Sequence, residues 1–184
     1  MNLQTILKTT FSILEVELAS EFDHNFSRQA FFDKKWVVRK FSGNTKGILA
    51  GRGMLRRSIN KKVQGSSILF TSNLPYASIH NEGGKIKVTP KMIRYFWAMY
   101  YKANKSLTMN KKGTVRNTQR NRKLTQEAEQ WKALALKKVG SVIEIPKRQF
   151  IGEHPQVNKI IEKTFRIFLE EYITYQKRRL MPNY

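Results

Sequence analysis

Apolar side chains recur with helical spacing at both ends of the chain, and this pattern constrains the fold more strongly than any other. Near the N-terminus it predicts an amphipathic helix over residues 2–20, whose apolar face carries Leu3, Ile6, Leu7, Ile13, Leu14 and Leu18. After Pro155 a wider stripe predicts another, whose face carries Val157, Ile160, Ile161, Thr164, Phe165, Phe168, Leu169 and Tyr172. Because an apolar face must be covered, we expect both helices to pack on whatever forms between them.

Shorter helical patterns follow the first of these helices. Apolar spacing predicts a helix over residues 25–38, and Gly43 with Asn44 predicts a loop after it. Residues 74–81 predict one or two helical turns after Pro75.

Strand patterns occupy the middle of the chain. Residues 59–63 and 68–70 flank a glycine-containing turn and predict a hairpin, and residues 85–89 and 141–145 predict two further strands, each ended by a proline. Along the sequence, predicted helices therefore lie before and after short strands that are joined by turns. This order predicts an α+β fold, in which a small antiparallel sheet is packed by the N- and C-terminal amphipathic helices and carries a basic helical insertion.

Residues 91–101 form a predicted helix with almost no polar face, and two interpretations of it remain open. A helix that is apolar on all sides is typical of an ordinary buried core. The same composition is typical of a subunit interface, for which Phe96 and Trp97 are the candidates. After it, residues 102–124 predict a mobile basic loop, and Thr125 is predicted to cap the next helix.

Charge is the strongest compositional signal. The 184 residues include 35 Lys and Arg against 13 Asp and Glu, a net charge of +22, and the segment between Glu82 and Glu127 has twelve bases and no acid. A solvated basic face would account for a short run. For so many unopposed bases we predict an anionic partner, either phosphate groups or an acidic protein surface. The candidate contact residues are Lys102, Lys105, Lys111, Lys112, Arg116, Arg120, Arg122 and Lys123.

Several classes of function are not expected. The chain has no cysteine, which excludes thiolate zinc sites and cysteine nucleophiles, and it has neither a nucleophile elbow nor a phosphate-binding loop. His80 and Glu82 would be a weak match to a metal-dependent nuclease. We therefore expect no enzyme activity, no cofactor and no metal site. No apolar run approaches the roughly 20 residues of a membrane-spanning helix, so we also expect no membrane partner.

Four motifs occur along the chain in a fixed order. An early tryptophan, Trp36, precedes a Gly-x-Leu-x-x-Ser-Ile turn at residues 53–59. A Tyr-Ala-x-Ile-His-x-x-Gly element lies within residues 74–84, here called the first signature, and an Ile-Pro-x-Arg-x-Phe-Ile-Gly element occupies residues 145–152, the second signature. In this order and spacing, the chain resembles the virion morphogenesis (tail-completion) family of Mu-like tailed phages.

The resemblance implies a structural virion protein at the head–tail junction, assembled in the cytoplasm of the host bacterium. Such a protein completes or terminates the tail tube and supports head–tail joining as a ring, a hexamer by tail symmetry, with tail-tube and head–neck proteins as partners and DNA in its lumen. The chain would be a single domain, residues 1–184, with the basic insertion at about 85–138.

The turns of the two signatures are candidates for contacts between subunits of such a ring. The candidate residues are Tyr76, His80, Glu82, Arg148 and Phe150. Alternatively, these turns close the fold of their own subunit. The alternative function is a sequence-independent nucleic-acid-binding protein that uses residues 85–123.

Overall fold

The computed structural model describes residues 3–38 and 47–180. The predicted loop at Gly43 and Asn44 lies outside these residues. The described helices are α1 (Leu3–Arg28), α2 (Met54–Arg57), α3 (Ala77–Glu82), α4 (Pro90–Lys105), α5 (Gln119–Ala135) and α6 (Pro155–Leu180). The strands are β1 (Ala30–Phe31), β2 (Lys34–Lys35), β3 (Ile59–Gln64), β4 (Ser67–Ser72), β5 (Gly84–Lys87) and β6 (Val142–Ile145).

The first helix is longer than predicted, and the separate helix predicted over residues 25–38 is wrong. Buried side chains continue at near-regular spacing along α1 as far as Phe26, so one continuous, mainly apolar stripe includes the start of the predicted second helix. Gln29 then has a positive φ of 55°, which ends the helix, and β1 and β2 form a short antiparallel ladder.

The α+β fold is confirmed, but its strands form three separate two-stranded antiparallel ladders in the described residues instead of one sheet. β3 and β4 are the predicted hairpin. β5 pairs with β6, more than fifty residues further along the chain, with Gly84 opposite Ile145. Because α3 and Gly83 lie between β4 and β5, the chain turns away from the hairpin before β5 begins, and the sheet does not continue.

The four sequence motifs meet in one hydrophobic cluster. Trp36, Leu55, Ala77 and Phe150 each come from a different motif, and all four belong to one cluster with Phe26 of α1. The ring of Phe26 lies 5.6 Å from that of Trp36 and 5.4 Å from that of Phe150. The motifs are therefore far apart in sequence but share a core.

The terminal helices pack together, as their stripes predict. Leu18 and Phe22 of α1 form a second cluster with Phe31 and with Val157 of α6. Further along, the rings of Phe11 and Phe165 meet edge to face at 5.7 Å.

A polar contact joins α1 to α2 at the Gly-x-Leu-x-x-Ser-Ile turn. The Arg56 guanidinium donates hydrogen bonds to the Asp23 carboxylate and lowers the pKa of that carboxyl. The pair is partly exposed, so it contributes at most about 1 kcal/mol.

Residues 88–141 form a helical arm, which leaves and rejoins the rest of the chain at the β5–β6 ladder. Backbone hydrogen bonds extend that ladder, from Val88 N to Ser141 O (2.8 Å) and from Gly140 N to Val88 O (2.8 Å). Within the arm, α4 and α5 make their extensive contacts with each other. The predicted loop at 102–124 is partly wrong, because α4 extends to Lys105 and α5 begins at Gln119, capped by Thr118 and not by Thr125.

Candidate functional site

The two signatures fold against each other, and we call this contact the signature junction (residues 76–84 and 145–152). The Asn81 side-chain oxygen accepts hydrogen bonds from the backbone N–H groups of Phe150 (2.9 Å) and Ile151 (3.2 Å). The backbone N–H of Arg148 donates to the carbonyl of His80 (2.8 Å). An asparagine that no motif emphasised therefore joins the two signatures.

Side chains from α1 and the early tryptophan region complete the junction. The Trp36 indole N–H donates to the carbonyl of Gln149 (2.7 Å), and the Asn25 side-chain amide donates to the carbonyl of Phe150 (3.1 Å). Arg148 Nε donates to the carbonyl of Val37 (3.0 Å). The first two bonds satisfy backbone carbonyls of the second signature, and the third satisfies the carbonyl of Val37, so hydrogen bonds tie this turn to α1 and to residues 36–37.

Gly83 allows the two signatures to approach this closely. Its backbone has φ 74° and ψ 177°, a region that is essentially restricted to glycine. A Cβ atom there would lie 2.8 Å from the backbone nitrogen of Lys147. The glycine is therefore required by both its conformation and the space around it.

The junction uses Arg148 and Phe150 inside the subunit. Phe150 has no exposed surface and Arg148 is 8% exposed. A side chain buried in its own chain is not available to a neighbour, so we correct the interface prediction for Phe150. For these two residues the alternative interpretation, that the turns close their own fold, accounts for the structure.

The more exposed part of the junction carries Tyr76, His80 and Glu82. Tyr76 is 39% exposed, and its ring meets that of the half-buried His80 at 6.1 Å. Glu82 is exposed, and its carboxylate lies 3.9 Å from Lys147 Nζ in an ion pair across the junction. An interface role for Tyr76, His80 and Glu82 stays a prediction.

The geometry of α3 does not favour a metal site at His80 and Glu82. Both residues lie on this helix two positions apart, so their side chains leave it about 200° apart. In the ranges that the structure describes, no group of three or more His, Asp or Glu side chains could hold a metal ion.

The arm has a small hydrophobic core and an exposed aromatic surface. Phe96 is buried and stacks on Trp131 of α5 at 6.0 Å. Trp97 stacks on Tyr101 at 6.0 Å on the outer side of α4, where Tyr101 is 58% exposed; we call this pair the aromatic ledge. Of the two open interpretations, an ordinary core therefore accounts for Phe96, and an interface role for the half-buried Trp97 stays a prediction.

The far end of the arm is an ordered tip, here defined as residues 106–123. Met109 and Val115 form a β-bridge, and Lys111 and Lys112 lie exposed in the turn between them. Asn121, which is 2% exposed, fastens this hairpin to α5. Its side-chain oxygen accepts from the N–H and hydroxyl of Thr108 (both 3.2 Å), and its amide donates to the carbonyls of Thr108 and Arg116 (both 2.8 Å).

The arm carries much of the positive charge. Residues 88–141 contain thirteen basic and two acidic side chains, a net charge of +11 and so half of the chain's +22. All eight predicted anion-contact residues are exposed. The ion pairs found in the described residues include no base of the arm.

A second apolar surface lies between the two terminal helices and the hairpin. A groove of about 530 Å³ runs between α1, α6 and the β3–β4 hairpin and is lined mainly by Phe11, Leu14, Phe70, Ile161 and Phe165. Ile151 and Gly152 of the second signature also line it, so it adjoins the signature junction. The sequence predicted the two helical stripes but not that part of this surface would stay open.

The fold and the junction define a small α+β protein in which motifs that are far apart in sequence build one core. A family comparison identifies the class of protein to which it belongs. A model of the phage virion morphogenesis family matches residues 16–170, which include all four motifs and the arm. The chain therefore belongs to the phage virion morphogenesis family, and it has a structural or assembly role in a phage virion. Searches of curated proteins and of solved structures found no match. Among residues 3–38 and 47–180, no helix is long and apolar enough to cross a membrane.

Proposed function

We propose that this protein completes or terminates the phage tail tube at the head–tail junction, where it acts as a ring without enzyme activity. Membership of the virion morphogenesis family across most of the chain is the observation that carries the proposal. The proposed ring is a hexamer, as tail symmetry in the family implies, and its partners are tail-tube and head–neck proteins.

Two unlike apolar surfaces on one chain support a ring. A ring closes through heterologous contacts, in which one surface of a subunit meets a different surface of the next. The aromatic ledge is a partly exposed helix surface, and the groove between α1 and α6 is a concave one. We infer that the ledge of one copy docks into the groove of its neighbour.

The charges around these surfaces are complementary. Lys91 and Arg94 are exposed near the ledge on α4, and all of the other bases of that helix are exposed as well. Glu153 lines the groove, and Glu15 and Glu17 adjoin its lining residues on α1. Opposite charges at the rims favour this orientation over contacts between two ledges.

The ring is tested by native mass spectrometry and negative-stain imaging of the purified protein, alone and with tail tubes. We expect a closed oligomer and rings at tube ends. A strict monomer that ignores tail tubes would contradict the proposal and would favour the alternative, a nucleic-acid-binding protein that acts alone.

The docking surface is tested by the double variant Trp97→Ser and Tyr101→Ser. Removing two aromatic side chains from an interface is expected to lower the association constant at least about 30-fold, measured by analytical ultracentrifugation. The matched control is Leu69→Ser, because Leu69 is 49% exposed on the face of β4 opposite to the groove-lining Ile68 and Phe70. Equal association of both variants would exclude the ledge as the interface.

A further inference from the structure

We propose that the tip of the arm binds the phosphate backbone of duplex DNA and that this binding is independent of the base sequence. The ligand class rests on the proposed function, because DNA passes the head–tail junction, whereas the surface itself is argued from the tip alone. The contact residues are Lys111, Lys112, Arg116, Arg120, Arg122 and Lys123.

The tip is the part of the arm where charge is densest and least compensated. Its six bases are exposed, and none of them belongs to an ion pair in the described structure. Arg120, Arg122 and Lys123 also lie in the first two turns of α5, whose first turn has no acid. Cations at a helix N-terminus are unfavourable because they face the positive end of the helix dipole, and a bound anion relieves this repulsion.

The neighbours of these bases favour phosphate over an acidic protein surface. The remaining tip residues are mostly Ser, Thr, Asn and Gln, whose side chains donate hydrogen bonds to phosphate oxygens. A depression of about 480 Å³ beside α5 is lined by Arg116 and Arg122 together with Asn117, Thr125 and Gln126. A protein interface would instead be expected to have an aromatic, apolar centre, and the tip sequence contains no aromatic residue.

The tip is held in place before any ligand binds. The four hydrogen bonds of Asn121 fix the hairpin to α5, and Arg122 Nε donates to the side-chain oxygen of Asn117 (2.8 Å). A preorganised surface loses less conformational entropy on binding than a mobile loop would. The backbone that carries the bases is therefore already ordered when a phosphate backbone approaches.

The test compares two charge variants of the full chain that each replace six bases with glutamine. The tip variant changes the six contact residues, and the control changes the exposed Lys159, Lys163, Arg166, Lys177, Arg178 and Arg179 of α6. Both lower the net charge by six. Binding to a fluorescein-labelled duplex of random sequence is measured by fluorescence anisotropy over a range of salt concentrations.

The tip variant is expected to lose at least about tenfold in affinity at moderate salt, and the slope of log K against log salt should fall by about 3 or more. The control should stay within about threefold of the unmodified protein. Equal losses in both variants, or no duplex binding by the unmodified protein, would overturn the proposal. Tip-dependent binding of polyglutamate without binding of duplex would assign the surface to an acidic protein instead.

A ring-formation assay distinguishes the failure of this proposal from the failure of the proposed function. The tip variant is expected to assemble on tail tubes as the unmodified protein does, because the ledge and the groove are unchanged. If the protein binds DNA through the tip but forms no ring, the proposed function is refuted and the proposed DNA-binding surface is retained.

Discussion

Phe150→Ala is expected to lower the free energy of unfolding by about 3–5 kcal/mol, which is a large part of the stability of a domain of this size. Phe150 has no exposed surface and packs against Phe26 in the cluster to which all four motifs contribute. Removing its ring leaves a cavity that the surrounding side chains fill only in part, because they come from four separate segments. Denaturant unfolding monitored by circular dichroism measures the loss.

The control for this variant is Leu169→Ala. Leu169 lies on α6 and is 54% exposed, so its truncation should cost less than about 1 kcal/mol. A loss below about 1.5 kcal/mol for Phe150→Ala would contradict the burial described for the second signature.

Gly83→Ala is expected to destabilise the protein by about 2 kcal/mol or more, because two effects add. The residue adopts φ 74° and ψ 177°, which an alanine tolerates poorly. Its Cβ would also lie 2.8 Å from the Lys147 backbone nitrogen, so the two signatures would have to move apart. Thermal and denaturant unfolding both measure this change.

Gly113→Ala is the control for the close contact of the added Cβ atom. Gly113 has nearly the same φ, 75°, but an added Cβ there would meet nothing within 4 Å. This control should cost about 1 kcal/mol from its positive φ alone. If both variants lost the same stability, the close approach of the signatures at Gly83 would be refuted.

Local patterns predicted most elements of the fold. The stripe after Pro155 predicted α6, and alternation predicted the β3–β4 hairpin and the strands β5 and β6. The helix predicted over residues 25–38 was wrong because the stripe of α1 continues to Phe26 and the chain then reverses at Gln29. A helical period alone does not indicate where one helix ends and the next element begins.

The candidate site was predicted less completely. The motifs pointed to Arg148 and Phe150, but their burial depends on Asn25, Trp36 and Asn81, which reach them across the chain. The spacing of the basic residues predicted an anion-binding segment, and the structure orders its far half through Asn121. Hydrogen bonds of one asparagine to a distant turn leave no periodic pattern in a sequence.

The sequence by itself determined the terminal helices, the hairpin, the positive charge of the middle segment and the two signatures that enclose it. Each of these features depends on residues that are close together in the sequence. Tertiary structure decided which apolar faces are covered. The two signatures pack together in one core, because β5 pairs with β6, which lies far along the chain. The apolar helix α4 stays partly exposed, because its extensive contact is with α5 and one partner covers one side of a helix.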